Sequence, residues 1–132
     1  MTGLAVKKQP VKLLSSFRHA FDGVVHVITQ ERNARIHLLI ALLVVGMGFV
    51  LRLGLLEWSL LLVAVGLVFT AEMLNTVVEI LVDLTVQQVH PMAKVVKDVA
   101  AGAVLLMALV AVIIGFIVLG PPIWRLLRAL AG

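Results

Sequence analysis

Three long apolar stretches dominate the chain, and its polar residues are concentrated before and between them. The stretches cover residues 36–56, 58–82 and 97–119. A helix needs about 20 mostly apolar residues to cross a bilayer, so each stretch is long enough to be a transmembrane helix. Only a few residues near positions 53–57 connect the first two stretches. The first two spans are therefore predicted to form an antiparallel hairpin.

The segment before the first span is amphipathic and too polar to cross a membrane. Within residues 11–30, five apolar residues recur at helical spacing: Leu14, Phe17, Phe21, Val24 and Ile28. Such a pattern is typical of a helix that lies in the membrane interface. The predicted fold is an all-α membrane protein. It has one domain over residues 1–132, with an N-terminal amphipathic surface helix and three transmembrane helices.

Prolines mark two predicted helix ends. Pro91 lies in the polar segment after the second span. It is expected to break any helix that continues from there, because proline lacks a backbone N–H and clashes with the preceding turn. Gly120, Pro121 and Pro122 follow the third span and are expected to end it. Residues 123–130 would then form a separate, short amphipathic segment.

Composition supports a membrane protein and excludes several other classes. The chain has 132 residues, of which 62% are hydrophobic, and it contains no cysteine. A soluble domain of this length would be nearer half apolar. The absence of cysteine excludes disulfides and thiol chemistry. The net charge is +4, but the basic residues flank the spans and form no single patch, so no nucleic-acid partner is expected.

The distribution of basic residues predicts the orientation. Six precede the first span and two lie between the second and third: Lys7, Lys8, Lys12, Arg18, Arg32 and Arg35, then Lys94 and Lys97. With three spans both regions face the same side, which the positive-inside rule makes cytoplasmic. Arg125 and Arg128 fall on the outer side, but two residues do not outweigh eight. The N-terminus is predicted to be cytoplasmic and the C-terminus to lie outside.

An acidic stripe interrupts the second span. Glu72, Asn75, Glu79 and Asp83 are spaced i, i+3, i+7 and i+11, which places them on one helical face. An ionised side chain at the centre of a membrane helix costs roughly 2.5–3.5 kcal/mol on insertion scales, so such residues usually have a function. The stripe therefore predicts a site that holds a cation and handles protons.

The predicted orientation brings Glu31, Lys97 and Asp98 to the same side of the membrane as the polar end of this stripe. Carboxylate oxygens suit Mg²⁺ held together with substrate phosphates, and a lysine suits a phosphate. A deeper carboxylate such as Glu72 could act as a general base. Structural alternatives remain open for the others. Glu31 could be a solvated partner of Arg35, Asp98 a charge at a helix N-terminus, and Asn75 an interhelical hydrogen-bonding residue.

The three histidines on predicted helices, His19, His26 and His37, lack metal-ligand spacing to one another. We therefore interpret all three as structural residues.

Four segments together resemble the prokaryotic diacylglycerol kinase and undecaprenol kinase family. They are residues 16–23, 31–37, 72–83 and 93–105, and the resemblance covers residues 13–119. It implies a homotrimer in the bacterial inner membrane, with active sites shared between subunits on the cytoplasmic face. It also implies transfer of the γ-phosphoryl group of ATP to a lipid alcohol, with Mg²⁺ as cofactor. The run from Glu31 to His37 is more similar to the undecaprenol kinase branch, which favours undecaprenol over diacylglycerol.

The resemblance also implies roles for individual residues. Glu72 would be the general base, and Glu31 and Glu79 would bind the metal. Nucleotide contacts would come from Asn75, Lys97 and Asp98 together with those two carboxylates. Arg35 and Ala101 would join Glu72 in contacting the lipid substrate.

Two other function classes compete with a kinase. One is a small cation- or proton-coupled transporter, in which an intramembrane glutamate would bind the ion. The other is a structural subunit whose stripe mediates assembly. Transporters usually place broken helices or paired repeats around a midplane site. Here the stripe reaches the membrane boundary beside Lys97 and Asp98, which favours the kinase.

Overall fold

Four helices make up the fold, in a computed structural model that describes residues 13–86, 88 and 90–132. They are α1 (Leu13–Gln30), α2 (Arg32–Val50), α3 (Leu55–Thr85) and α4 (Pro91–Ala131). Within the described residues there is no strand. The helices α2, α3 and α4 are each long and apolar enough to cross a membrane. The predicted all-helical architecture with three spans is confirmed at this level.

Helix α1 leaves most of its apolar side chains uncovered. Val27 is its only buried residue, whereas Leu14, Phe17 and Phe21 expose most of their surface. The first two residues of the predicted surface helix, 11 and 12, lie outside the described part. No described part of the chain covers Leu14, Phe17 or Phe21. Its position in the membrane interface therefore stays a prediction.

A short polar junction separates α1 from α2. Glu31 has an extended backbone, with φ −94° and ψ 120°, and is the N-cap residue of α2. This single residue breaks what would otherwise be one continuous helix. The junction gives Glu31 a fixed position at the start of the first span, because its neighbours on both sides are helical.

The turn between α2 and α3 lies earlier in the chain than the hydropathy pattern predicts. The predicted first span extends to residue 56, but α2 ends at Val50. Arg52 adopts a left-handed φ of 53°, and the N–H of Leu53 donates to the carbonyl of Gly48 over 3.1 Å. Together with the N–H of Arg52 donating to Phe49, this is a Schellman motif. Hydropathy missed it because the residues of the turn are mostly apolar.

The second and third spans extend beyond their predicted limits. Helix α3 covers Leu55–Thr85 instead of residues 58–82, and α4 begins at Pro91 instead of residue 97. Pro91 occupies the first turn of α4, where its missing N–H has no helical partner to lose. The imidazole of His90 caps this helix by accepting from the N–H of Met92 over 3.2 Å. Hydropathy therefore identifies the membrane-spanning part of each helix, but it misses the polar residues that extend the helix beyond that part.

The predicted helix end at Gly120–Pro122 is wrong. Helix α4 continues through Pro121 and Pro122 to Ala131. Packing explains the continuation, because Pro122 is buried and Ile123 packs against the apolar core cluster of Leu61, Val118 and Leu119. The φ of proline is compatible with a helix, and its cost there is about 3 kcal/mol. Burial on both sides of the proline pair opposes that cost.

The core lies where α4 packs against α3, near the α2–α3 turn. Leu61 of α3 meets Val118 and Leu119 of α4, and Val44, Leu51 and Leu53 close the cluster from the α2 side. The ring of Trp58 packs against Phe49 at an interplanar angle of 54°, with centroids 4.9 Å apart. Gly48 is buried beneath Trp58, and a Cβ at this position would lie 2.7 Å from Cη2 of that ring. The close approach of α2 and α3 at this point therefore requires glycine.

We expect Gly48→Val to lower the stability of the hairpin. The added methyl groups must displace the Trp58 ring, and overpacking of this kind costs about 1–3 kcal/mol. Gly46→Val is the matched control, since Gly46 lies in the same helix with nothing within 4 Å of a built Cβ. The measurement is thermal unfolding in detergent micelles, followed by tryptophan fluorescence. Equal melting temperatures for the two variants would contradict the packing argument.

Candidate active site

The buried face of α3 changes from apolar to polar along the helix. Near the core it consists of Leu61, Ala64 and Val68, and one turn later it continues with Glu72, Asn75 and Thr76. All six positions follow helical spacing, so they form one stripe that faces the other helices. The first half of the stripe is part of the packed core. The second half places polar side chains where the apolar packing ends.

Glu72 is the most enclosed side chain of this stripe, with only 2% of its surface exposed. Its Oε1 atom is buried and has no hydrogen-bond partner within the described residues. Nε2 of His37 on α2 lies 3.2 Å from this oxygen, which is within ion-pair distance, although the contact does not have the geometry of a hydrogen bond. A buried carboxylate oxygen left in this way is a strong acceptor available for a donor.

Asn75 and Glu79 form the next step of the stripe. Nδ2 of Asn75 donates to Oε1 of Glu79 over 2.9 Å. Oδ1 of Asn75 is buried and has no partner among the described residues. The hydroxyl of Thr76 donates to the backbone carbonyl of Glu72 over 3.1 Å. The side chain of Asn75 is thus held by Glu79 while its oxygen remains free to accept from, or coordinate, a ligand.

Glu31 joins this group from the α1–α2 junction. It is half-buried, and its charge acts on Glu72 together with the charge of Glu79. No ion pair links Glu31 to Arg35, although both residues are described. The structural alternative of a solvated Glu31–Arg35 pair is therefore absent from this chain. The fold brings Glu31, Glu72 and Glu79 together from two helices.

The predicted ligands on α4 form ion pairs of their own. Nζ of Lys97 lies 2.6 Å from Oδ1 of Asp83 at the end of α3, and Nζ of Lys94 lies 2.7 Å from Oδ2 of Asp98. Apart from the half-buried Lys97, these residues are exposed. Exposed pairs of this kind contribute about 0–1 kcal/mol, so a phosphate can replace a carboxylate partner at little cost. The pairing of Lys97 with Asp83 was not predicted.

The two remaining predicted site residues are exposed. Arg35 lies one turn after Glu31 on α2, and Ala101 lies on α4 one turn after Lys97. Neither lines the cavity described next. Their predicted contact with a lipid substrate stays a prediction.

An apolar cavity of about 470 Å³ lies between α2, α3 and α4, and His37, the neighbour of Glu72, is part of its wall. Its walls come from residues 37–44, 61–69 and 108–123, and His37 is the one polar side chain among them. The α4 wall alone extends about 22 Å at 1.5 Å per residue. Many of the lining residues are small, including Ala41, Ala64, Ala108 and Gly115. The space suits a hydrocarbon chain whose polar end reaches His37 and Glu72.

His37 was not among the predicted site residues. The spacing of His37 from the other helical histidines does not suit a metal site, so this spacing gave no indication of a function. The informative signal was its location at the start of an apolar span, where an ionisable side chain is expected to have a function for the same reason as Glu72.

The donor set fits Mg²⁺ bound together with phosphates. No group of three histidine or acidic side chains in the described residues could hold a metal ion alone. Mg²⁺ usually takes only one or two protein carboxylates and completes its shell with water and substrate phosphates. Glu31 and Glu79 offer two carboxylates, and the unpartnered Oδ1 of Asn75 offers a further hard oxygen. The site is suited to a metal that arrives with a nucleotide.

Comparison with known proteins identifies the family. Residues 18–119 match the family model described as prokaryotic diacylglycerol kinase. An undecaprenol kinase of Bacillus subtilis is 38% identical over 110 residues, which cover 83% of this chain and 89% of the relative. A diacylglycerol kinase of Synechocystis is 44% identical over 116 residues, which cover 87% of this chain and 66% of the relative. A diacylglycerol kinase of Helicobacter pylori is 30% identical over 95 residues, covering 72% and 74%.

The range matched by the family model spans every predicted site residue. The matches also decide between the kinase and the two competing classes, and with the three apolar helices they make this a multi-pass membrane protein. The chain belongs to the prokaryotic diacylglycerol kinase family and is a lipid kinase.

Proposed function

We propose that the chain transfers the γ-phosphoryl group of ATP to the hydroxyl of a long-chain lipid alcohol. The reaction uses Mg²⁺ and takes place at the cytoplasmic face of the bacterial inner membrane. The observation that carries this proposal is the position of Glu72. Its buried carboxylate lies 3.2 Å from His37, which lines the apolar cavity, and the charges of Glu31 and Glu79 act on it.

Glu72 acts as the general base. It accepts the proton of the lipid hydroxyl as the hydroxyl oxygen forms its bond to the γ-phosphorus. The bond from that phosphorus to the β–γ bridging oxygen breaks, and ADP leaves. Such a reaction depends mainly on positioning and on neutralising charge, with little covalent chemistry for the protein to perform. General-base catalysis contributes typically about 10²- to 10⁴-fold to the rate.

Glu31 and Glu79 hold the metal, which neutralises charge on the transferred phosphates when bound. Asn75 accepts a ligand at its free Oδ1 and keeps Glu79 in position through the 2.9 Å hydrogen bond. Lys97 exchanges Asp83 for a nucleotide phosphate, and Asp98 contacts the nucleotide. Arg35 and Ala101 contact the lipid near its hydroxyl.

The nucleotide site is shared between subunits of a homotrimer. Within one chain Lys97 pairs with Asp83 and Asp98 pairs with Lys94, and among the described residues no ion pair joins either of them to Glu79. A neighbouring subunit would complete the nucleotide contacts. The helix α1 lies along the cytoplasmic interface, where its uncovered apolar side chains contact lipid.

Undecaprenol is the favoured acceptor, and diacylglycerol is the next. The run Glu-Arg-Asn-Ala-Arg-Ile-His at residues 31–37 supports the former. The elongated apolar cavity beside His37 also suits a hydrocarbon chain. The relative named undecaprenol kinase is matched over 89% of its length, against 66% for the Synechocystis diacylglycerol kinase.

Purified protein with Mg·ATP is expected to phosphorylate undecaprenol in mixed micelles, and diacylglycerol more slowly. Radioactive lipid phosphate, separated by thin-layer chromatography, is the measurement. Addition of EDTA should remove the activity. No phosphorylated product from either alcohol would overturn the proposed function. Cation flux into liposomes without any lipid phosphate would support the transporter instead.

Glu72→Gln should lower kcat about 10²- to 10⁴-fold, because the amide cannot accept the hydroxyl proton. Binding of Mg·ATP should change less than twofold, since Glu72 does not hold the metal. Glu57→Gln is the matched control in the same helix. Glu57 accepts a hydrogen bond from the N–H of Gly54 at the opposite end of α3, outside the site. Its variant should retain wild-type kcat.

Glu79→Gln should instead weaken metal-dependent nucleotide binding, by about tenfold or more. Isothermal titration with ATP in the presence and absence of Mg²⁺ separates the two contributions. The affinity for metal-free ATP should remain close to that of the wild type. Equal losses of Mg·ATP affinity in Glu72→Gln and Glu79→Gln would show that these roles are divided wrongly.

A further inference from the structure

We infer that His37 is a positioning residue that keeps the carboxyl group of Glu72 ionised and oriented for the proton transfer. The inference rests on the proposed function. Its basis is the 3.2 Å approach of Nε2 of His37 to the buried Oε1 of Glu72.

The electrostatic surroundings of Glu72 make such a partner necessary. A carboxylate removed from water becomes neutral unless it is paired or hydrogen-bonded. The two other charges that act on Glu72, those of Glu31 on the α2 side and Glu79 on α3, are both negative and oppose its ionisation. A neutral Glu72 could not accept the hydroxyl proton. Some other group must therefore favour its charged form.

The other cations near these helices are engaged elsewhere or exposed. On α4, Lys97 pairs with Asp83 and Lys94 pairs with Asp98. On α2, Arg35 is exposed and forms no ion pair within the described residues. No charged group of α1 acts on Glu72 in the part of the chain that the structure describes. His37 is thus the one described basic side chain within ion-pair distance of Glu72.

The geometry divides the two oxygens of Glu72 between two tasks. A small rotation of the imidazole from this position would let an N–H on Nε2 donate to Oε1. A hydrogen bond to the charged form of a carboxyl group favours that form. Oε2 then remains the oxygen that accepts the hydroxyl proton. The side chain of His37 is 22% exposed and lines the cavity, so it can hold Glu72 from the side of the lipid chain.

A matched set of variants tests this role. In His37→Gln the amide Nε2 can occupy the position of the imidazole Nε2, whereas in His37→Asn the amide is too short to reach Oε1. His37→Leu removes the donor and keeps the apolar wall. His19→Gln is the control, because His19 is exposed on α1 and has no contact with Glu72. Values of kcat and KM for each variant are measured from pH 5.5 to pH 9.

The expected signature is a displaced acid limb of the pH–kcat profile. In His37→Leu and His37→Asn the limb should move about one to two pH units upward, the size of the effect of removing a close favourable partner. Below both midpoints this corresponds to a loss of about 10- to 100-fold in kcat, which shrinks as the pH rises. KM for ATP should stay unchanged. His37→Gln should recover most of the wild-type profile.

A purely structural role for His37 would lower kcat equally at every pH, without recovery by Gln, and this result would overturn the inference. Unchanged activity in His37→Leu would overturn it as well.

A second measurement does not depend on kinase activity. Dicyclohexylcarbodiimide modifies protonated carboxyl groups in apolar surroundings, and its addition to Glu72 can be followed by mass spectrometry. Labelling should persist to higher pH in His37→Leu than in the wild type. Identical pH dependence of labelling would overturn the inference even if the variant were inactive. If the wild type phosphorylates no lipid, the proposed function fails, and the labelling comparison still decides whether His37 controls Glu72.

Discussion

The desolvation of one carboxyl group governs the architecture of this protein. Glu72 exposes 2% of its surface in a helix that is otherwise apolar enough to span a membrane. Burial of an unpaired charge is far more costly than any single packing contact in the fold. The neighbourhood is accordingly polar, with His37 across the α2–α3 contact and Asn75, Thr76 and Glu79 along the same face of α3. These polar residues form one group, and Glu72 is at the centre of that group.

Stability and chemistry are separated along α3. Its first half packs Leu61 against Val118 and Leu119, and the Gly48–Trp58 contact locks the turn to α2 at the same end. The second half offers buried oxygens without partners on Glu72 and Asn75. Unsatisfied buried acceptors destabilise a fold by about 1–3 kcal/mol each. The well-packed end of the hairpin can compensate for that strain, because both ends belong to one continuous helix.

The features that depend on a single helix could be predicted from the sequence. Hydropathy found three spans, and the spacing of Glu72, Asn75 and Glu79 placed them on one face, since helical periodicity is a local property. The same reasoning failed where another helix mattered. From the local sequence alone, Pro121 and Pro122 predict the end of a helix, but tertiary packing holds Ile123 against the core. His37 was overlooked because its partner, Glu72, is 35 positions away on another helix.

The exposed fraction of the acidic side chains decreases from the nucleotide side of the proposed site to its lipid side. This gradient explains how the proposed reaction avoids hydrolysing ATP without phosphorylating the lipid. Asp83 and Asp98 are exposed, Glu31 and Glu79 are half-buried, and Glu72 is enclosed. A water molecule that reached the general base could replace the lipid hydroxyl and hydrolyse ATP. Excluding water from the base prevents that side reaction. The exposed ion pairs, in contrast, exchange cheaply with phosphates and allow ADP to leave. Under the proposed roles, burial of Glu72 would favour an alcohol that enters from the membrane over water, and the electrostatic cost of that burial is the reason a partner such as His37 would be needed.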